Sequence, residues 1–198
     1  MIPSRLLDEG ATCMQFTTPE GACESFLIVT SPRGMPVTEA LALLGKRYAA
    51  ALDEYGLSER SLVYSRVYLS DAANQAALLR GSALYSQLNV AALSVVGQAA
   101  LSCGCVCLLA YHLTCSGKPY ARQRIAEQEH GKNSIALSMN NYSLLYNAGF
   151  RGSTELDSYA QTQEIFGALG FHVERQNMEF LANTIRSWIY VRDIDNHY

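Results

Sequence analysis

Two stretches share one pattern. Residues 61–71 read SLVYSRVYLSD, and residues 184–193 read TIRSWIYVRD. In the first, Leu62, Tyr64, Arg66 and Tyr68 alternate with Val63, Ser65, Val67 and Leu69, so both faces of an extended strand carry material to bury. The closing residues, Asp71 and Asp193, lie 122 positions apart (193 − 71), and the same shift carries Thr12 to Ser134. If the first copy ends near Leu113, the second should run to about residue 235 (113 + 122), past Tyr198. The second copy is therefore expected to lack its second helix and last strands. A sheet with an uncovered face and open edges is not stable alone. The expectation is a piece of a longer protein, or a unit completed from elsewhere.

The order of elements can be read along the rest of the chain. CMQFTT and SFLIVTS flank PEGACE and predict a β-hairpin. In MPVTEALALLGKRYAAALDEYG, Leu41, Leu44, Tyr48, Ala51, Leu52 and Tyr55 recur at helical spacing, with Pro36 suited to the start and Gly56 to the end. NQAALLRGSALYSQL predicts a second helix weakened at Gly81, and ALSVVGQAALSCGCVCLLAYHL supplies an interrupted strand or two. Helices joining parallel strands must cover one face of the sheet, so residues 1–115 are expected to form an α+β module, a mixed sheet with helices on one face. Residues 116–133 are polar and predict a linker with a helical turn or two. From 134 to 198 the pattern restarts: SIALSMN and YSLLYNAGF as strands, LDSYAQTQEIFGALGFHV as helix, TIRSWIYVRD as strand.

Charge and cysteine usage remove several classes of function. A net charge of −3 argues against nucleic acid as a partner, and the densest basic stretch, KPYARQR, is followed by Glu127 and Glu129 and reads as solvated linker. No apolar run reaches membrane-spanning length and the N-terminus has no secretory pattern, so a cytoplasmic protein without a membrane partner is expected. Cys103, Cys105 and Cys107 alternate, which in a strand puts three parallel thiols on one face rather than converging them on a metal. With Cys13, Cys23 and Cys115 scattered, the cysteines read as core, and neither a metal nor a cofactor is expected. His172 and His197 have no Ser or Cys at recognisable spacing and read as solvent histidines.

The words LVYSRVYLSDAANQAAL, AALSVVGQAALSCGCVCLLAYHL, LLYNAGFRG and QTQEIFGALG resemble the RidA family, also called YjgF or endoribonuclease L-PSP and formerly described as translation-initiation inhibitors. The resemblance implies a chorismate-mutase-like fold, one complete module followed by a truncated second copy, and a homo-oligomer or pseudo-symmetric, trimer-like assembly. Active members hydrolyse enamines and imines, holding the substrate carboxylate on an arginine in a Pro-Ala-Arg-Ser motif. The matching words here, AALSVV, place Leu93 at that arginine, and a leucine cannot pair with a carboxylate. SWIYVRDIDNHY is also similar to the chorismatase-type relatives, in which a degenerate module precedes an intact one.

The resemblance thus implies a small carboxylated metabolite as ligand, with a non-catalytic first module. The alternatives are a non-catalytic binding or assembly module and, against the charge, an RNA-directed enzyme. Catalytic residues are not assigned. Candidate substrate-binding residues are Gly149, which matches the family's Ser-Gly glycine with Ala148 at the serine, and Tyr146, Arg151, Arg186 and Trp188. Tyr64, Tyr68, Trp188 and Tyr190 can line an aromatic cleft, although alternating aromatics in a strand more often serve sheet packing.

Overall fold

The structure is a computed structural model that describes residues 2–8, 10–19, 21–99, 104–116, 120–126 and 133–191, with the backbone alone over 2–8. The chain forms two compact units, Met1–Gln128 with Lys132–Gly149, and Glu129–Gly131 with Phe150–Tyr198.

The first unit begins with β1 (Ile2–Asp8), β2 (Ala11–Thr17) and β3 (Ala22–Thr30), paired antiparallel in sequence order. Helix α1 (Val37–Glu54) follows, entered at Pro36 and stopped by Gly56, whose φ of 61° lies in the left-handed region a glycine adopts without penalty. Strand β4 (Leu62–Leu69) leads to Asp71, whose carboxylate accepts from the Asn74 amide and caps α2 (Ala72–Arg80). The single helix expected over 74–88 is two. α2 ends at Gly81, and Ser82 caps α3 (Ala83–Leu88) by accepting from the Tyr85 amide. Strands β5 (Ala92–Gly97) and β6 (Val106–Cys115) complete a mixed sheet of order β1-β2-β3-β6-β4-β5, in which only β4 and β5 are parallel. The fold class is therefore α+β with a mixed sheet.

Side-chain alternation sorts the faces. Leu27 and Val29 of β3, Ser65, Val67 and Leu69 of β4, and Leu108, Ala110 and His112 of β6 are buried and face the helices, where Ala40, Leu41, Leu44, Tyr48 and Ala51 of α1 supply the other half of the core. The opposite face carries Met14, Phe16, Phe26, Ile28, Tyr64, Tyr68, Leu109 and Tyr111.

The stretch expected as linker contains a strand, β7 (Ala121–Ala126), paired with β8 (Asn133–Ser138), which pairs with β9 (Ser143–Ala148) in a second, antiparallel sheet. Its polar side chains are what disguised it. Arg122 reaches inward, its Nε donating to the Leu62 carbonyl at 2.8 Å and its Nη2 to the Val90 carbonyl at 2.9 Å. The basic stretch is therefore partly a half-buried clamp rather than wholly solvated.

The second unit contains α4 (Ser158–Glu174), capped by Asp157, and the short α5 (Phe180–Asn183). Gly152 packs so closely on α4 that a Cβ there would lie 2.7 Å from Gln161 Cα. Two expectations fail here. His172 is buried, edge-on to Phe150 with centroids 5.8 Å apart, because it lies on the inner face of α4 beside Val173; His197 lies outside the described residues. Residues 184–191 are exposed and form no strand, since β propensity needs a ladder partner and none pairs with them among the described residues; Arg192 and Asp193 lie outside these.

Candidate functional site

Where β3, β4 and β6 meet the start of α1, backbone bonds draw the strand ends together. The Ser31 hydroxyl accepts from the Val106 amide at 3.1 Å and donates to the Val106 carbonyl at 3.0 Å, while the Gly104 amide donates to the Ser31 carbonyl at 2.8 Å. Only glycine fits at 104, because a Cβ would lie 2.0 Å from the Pro32 carbonyl oxygen. The result is a shallow, open depression of about 460 Å³ lined by Arg33, Gly34, Met35, Pro36, Ser70, Gly104 and Cys105. The Cys105 thiol donates to the Met35 carbonyl at 3.4 Å. The lining offers one guanidinium, one hydroxyl and the first turn of α1, which has no side-chain cap, so its electrostatics suit an anion. It contains no histidine or carboxylate to act as a general base.

A second cluster lies on the sheet face opposite the helices. Tyr146 of β9 stacks on Tyr64 of β4 at 5.7 Å and meets Tyr111 of β6 at 5.9 Å, and Phe26 of β3 meets Tyr111 at 4.8 Å. Arg66 lies over the Tyr64 ring at 5.2 Å. Burial, and then the neighbouring Tyr146 and Glu24, push the Tyr111 hydroxyl far above the ordinary phenol range. Burial likewise raises Tyr146, partly offset by its hydrogen bond with Tyr111. Both remain neutral phenols, able to donate a hydrogen bond but not to act as bases near neutral pH.

A Ser-His pair exists but does not make a nucleophile. The Ser61 hydroxyl donates to the Ser58 carbonyl at 2.8 Å, so at 2.9 Å it accepts from His112 Nδ1, and His112 Nε2 accepts at 3.0 Å from Tyr48. All three side chains are buried in the core, and burial pushes the His112 pKa down to about 4, with Arg122 contributing a smaller push in the same direction. A neutral imidazole sealed between α1, the 58–61 turn and β6 is a structural staple.

The expected site residues fall in several places. Tyr146 belongs to the tyrosine cluster, and Gly149, with φ 78°, follows the same strand. Arg151, Arg186 and Trp188 belong to the second unit; Arg151 is exposed, and Arg186 lies over the Trp188 ring at 5.5 Å. Leu93 is buried in β5, registered beside Ser65 of β4. Sequence reasoning missed Arg122, Tyr111 and His112. Only the last two left a trace, as adjacent residues of the apolar run CLLAYHL that a strand sends to opposite faces. Of the cysteines, Cys13 and Cys107 are buried and Cys23, Cys105 and Cys115 half-buried; Cys103 lies outside the described residues, among which no cluster of metal-ligating side chains occurs. No helix among the described residues is long and apolar enough to cross a membrane.

No protein-family model matches the chain. No curated protein matches it. Two solved chains do. One, described as "Crystal structure of a putative translation initiation inhibitor from Salmonella typhimurium", is 16% identical, and the match covers 52% of this chain and 97% of that one at a TM-score of 0.38.

Proposed function

We propose that the chain is a RidA-superfamily protein built on two modules, acting on a small carboxylated metabolite, in which the first module does not carry out the family's imine hydrolysis. The first module is β1–β6 with α1–α3; the second, from residue 134, is represented by β8, β9, α4 and residues 184–191. The order βββαβααββ on one mixed sheet with its helices on one side supports the fold. The observation that carries the functional reading is Leu93. At the position where the family resemblance calls for a carboxylate-binding arginine, β5 holds a buried aliphatic side chain, and no charge is available there to orient a substrate. The depression at the start of α1, with Arg33 on its rim, is the part of this module best suited to a carboxylate.

The purified chain, given a dehydroalanine-type enamine generated in situ, is expected to release ammonia no faster than buffer. Release at the rate of an active family deaminase, abolished by a substitution in this chain, would overturn the assignment of a silent first module.

A further inference from the structure

Arg122 and Arg124 alternate with Gln123 along β7 and so lie on one face of that strand. Both reach the residues that lead into β5. Besides its bond to Leu62, Arg122 donates from Nη2 to the Val90 carbonyl at 2.9 Å. Arg124 donates from Nη2 to Asn133 Oδ1 at 2.9 Å, and Asn133 Nδ2 donates in turn to Asn89 Oδ1 at 2.9 Å. The two guanidiniums are thus tied to the adjacent residues Asn89 and Val90, one directly and the other through an amide.

Every acceptor in this cluster is neutral. No carboxylate forms an ion pair with Arg122 or Arg124 among the described residues. Burial lowers the Arg122 pKa, the neighbouring Tyr120 partly offsets this, and Arg124 adds a further push down. An arginine does not release its proton near neutral pH, so the half-buried charge stays uncompensated until an anion meets it. Donors remain to hold one. Of the five N–H donors of a guanidinium, Arg122 keeps three (5 − 2) and Arg124 four (5 − 1). Two adjacent cations match an anion of charge near −2 better than a single carboxylate, and a tetrahedral oxyanion has oxygens enough to accept from both.

We propose that Arg122 and Arg124 form a binding site for a phosphoryl group, free or carried as a monoester, where β7 meets the starts of β4 and β5. The site is separate from the depression at the start of α1. Leu62 opens β4, whereas Ser70 of the depression follows its end, and the strand between them spans about 23 Å at about 3.3 Å per residue. The inference therefore does not depend on the proposed function or on its chemistry. Because Arg122 joins β7 to Leu62 and Val90, an anion that neutralises it also fastens the second sheet to the first.

Inorganic phosphate, methyl phosphate and acetate are titrated into the full chain at constant ionic strength, with binding read from the arginine Nε–H resonances. Phosphate is expected to saturate in the millimolar range and to move the Arg122 and Arg124 signals, with acetate weaker by about tenfold or more. Arg124→Gln should weaken phosphate by about tenfold or more without altering the far-UV circular dichroism, since the side chain is exposed and the Arg122 clamp is kept. Arg124→Lys, which retains the charge and loses the fork, should fall between, and it substitutes should Arg124→Gln misfold. Arg33→Gln should bind phosphate as the wild type does. Amide exchange over 121–126 should slow when phosphate is added. Methyl phosphate binding as tightly as inorganic phosphate assigns a monoester ligand, and binding of inorganic phosphate alone assigns the free ion. No saturable binding, acetate as tight as phosphate, unchanged affinity in both Arg124 variants, or loss of binding in Arg33→Gln would each overturn the proposal.

Discussion

Acid should weaken the first unit through His112. The imidazole is buried between Tyr48 and Ser61, accepts a hydrogen bond from the Tyr48 hydroxyl at Nε2, and has nothing acidic among its hydrogen-bond partners. Protonation would force the Tyr48 hydroxyl to turn from donor to acceptor and place a charge in an apolar core. The folded pKa of about 4 lies below the ordinary value of 6.5, so the unfolded chain takes up the proton first as pH falls. The stabilisation from the neutral imidazole is intact above pH 6.5 and is lost progressively down to pH 4. Linkage with these two values gives a loss of about 2 kcal/mol between about pH 7.5 and about pH 5, and roughly 3 kcal/mol once both states are protonated. Urea unfolding at the two pH values, compared with His112→Asn, isolates the residue: the wild type should lose about 2 kcal/mol more than the variant over that interval. Imidazole resonances followed by NMR give the pKa directly. A His112 signal titrating near 6.5, or equal pH dependence in wild type and variant, would refute the reasoning.

Other substitutions probe other parts of the same unit. Arg122→Met strips the Leu62 and Val90 carbonyls of charge-assisted bonds and should cost about 2–3 kcal/mol in urea unfolding; a loss below about 0.5 kcal/mol would show the clamp to be unimportant. The Ser65 hydroxyl is buried with no hydrogen-bond partner, so Ser65→Ala is expected to stabilise by about 1 kcal/mol, and a destabilised variant would argue for a partner at that position. Chymotrypsin under native conditions should cut at Trp188 or Tyr190 well before Tyr64 or Tyr68, because the first pair is exposed in a segment without strand pairing and the second is held between β5 and β6. Mass spectrometry of the first fragments decides it; early cleavage in β4 would contradict the placement.

The parts of the fold written in local pattern were legible. The periodicity of Leu41, Leu44, Tyr48 and Ala51 shows α1, and the alternation of 64–69 shows the two faces of β4, although the register shift between Leu62 and Tyr64 left no sign in the sequence. β7 was not legible, because its strand character rests on where Arg122 can reach, and carbonyls 60 and 32 residues away leave no mark on its own sequence. His172 went wrong for a related reason: a histidine on a helix looks alike whether the face it sits on is covered or bare. In 184–191 the propensity was read correctly and the partner was missing, and propensity alone does not make a strand. At the candidate site, Leu93 could be singled out by its place in the family's motif. The depression could not, since its lining is gathered from three separate segments, 33–36, 70 and 104–105.

The position of β6 sets an order of events for folding. It is the last strand of its sheet in sequence, yet it lies between β3 and β4, pairing Thr30 with Cys107 across 77 residues (107 − 30) and Ala22 with Cys115 across 93 (115 − 22). Before it arrives, β2–β3 can close as a hairpin and α1 can form, while β3 and β4 each keep an open edge lined by apolar side chains. Closing such long loops comes late and raises the barrier, so the sheet should zip together in one slow, cooperative step when β6 inserts. On the ribosome, the chain therefore stays without a finished core until Cys115 has cleared the exit tunnel. A pause in synthesis before that point would leave two complementary sheet edges exposed to neighbouring nascent chains.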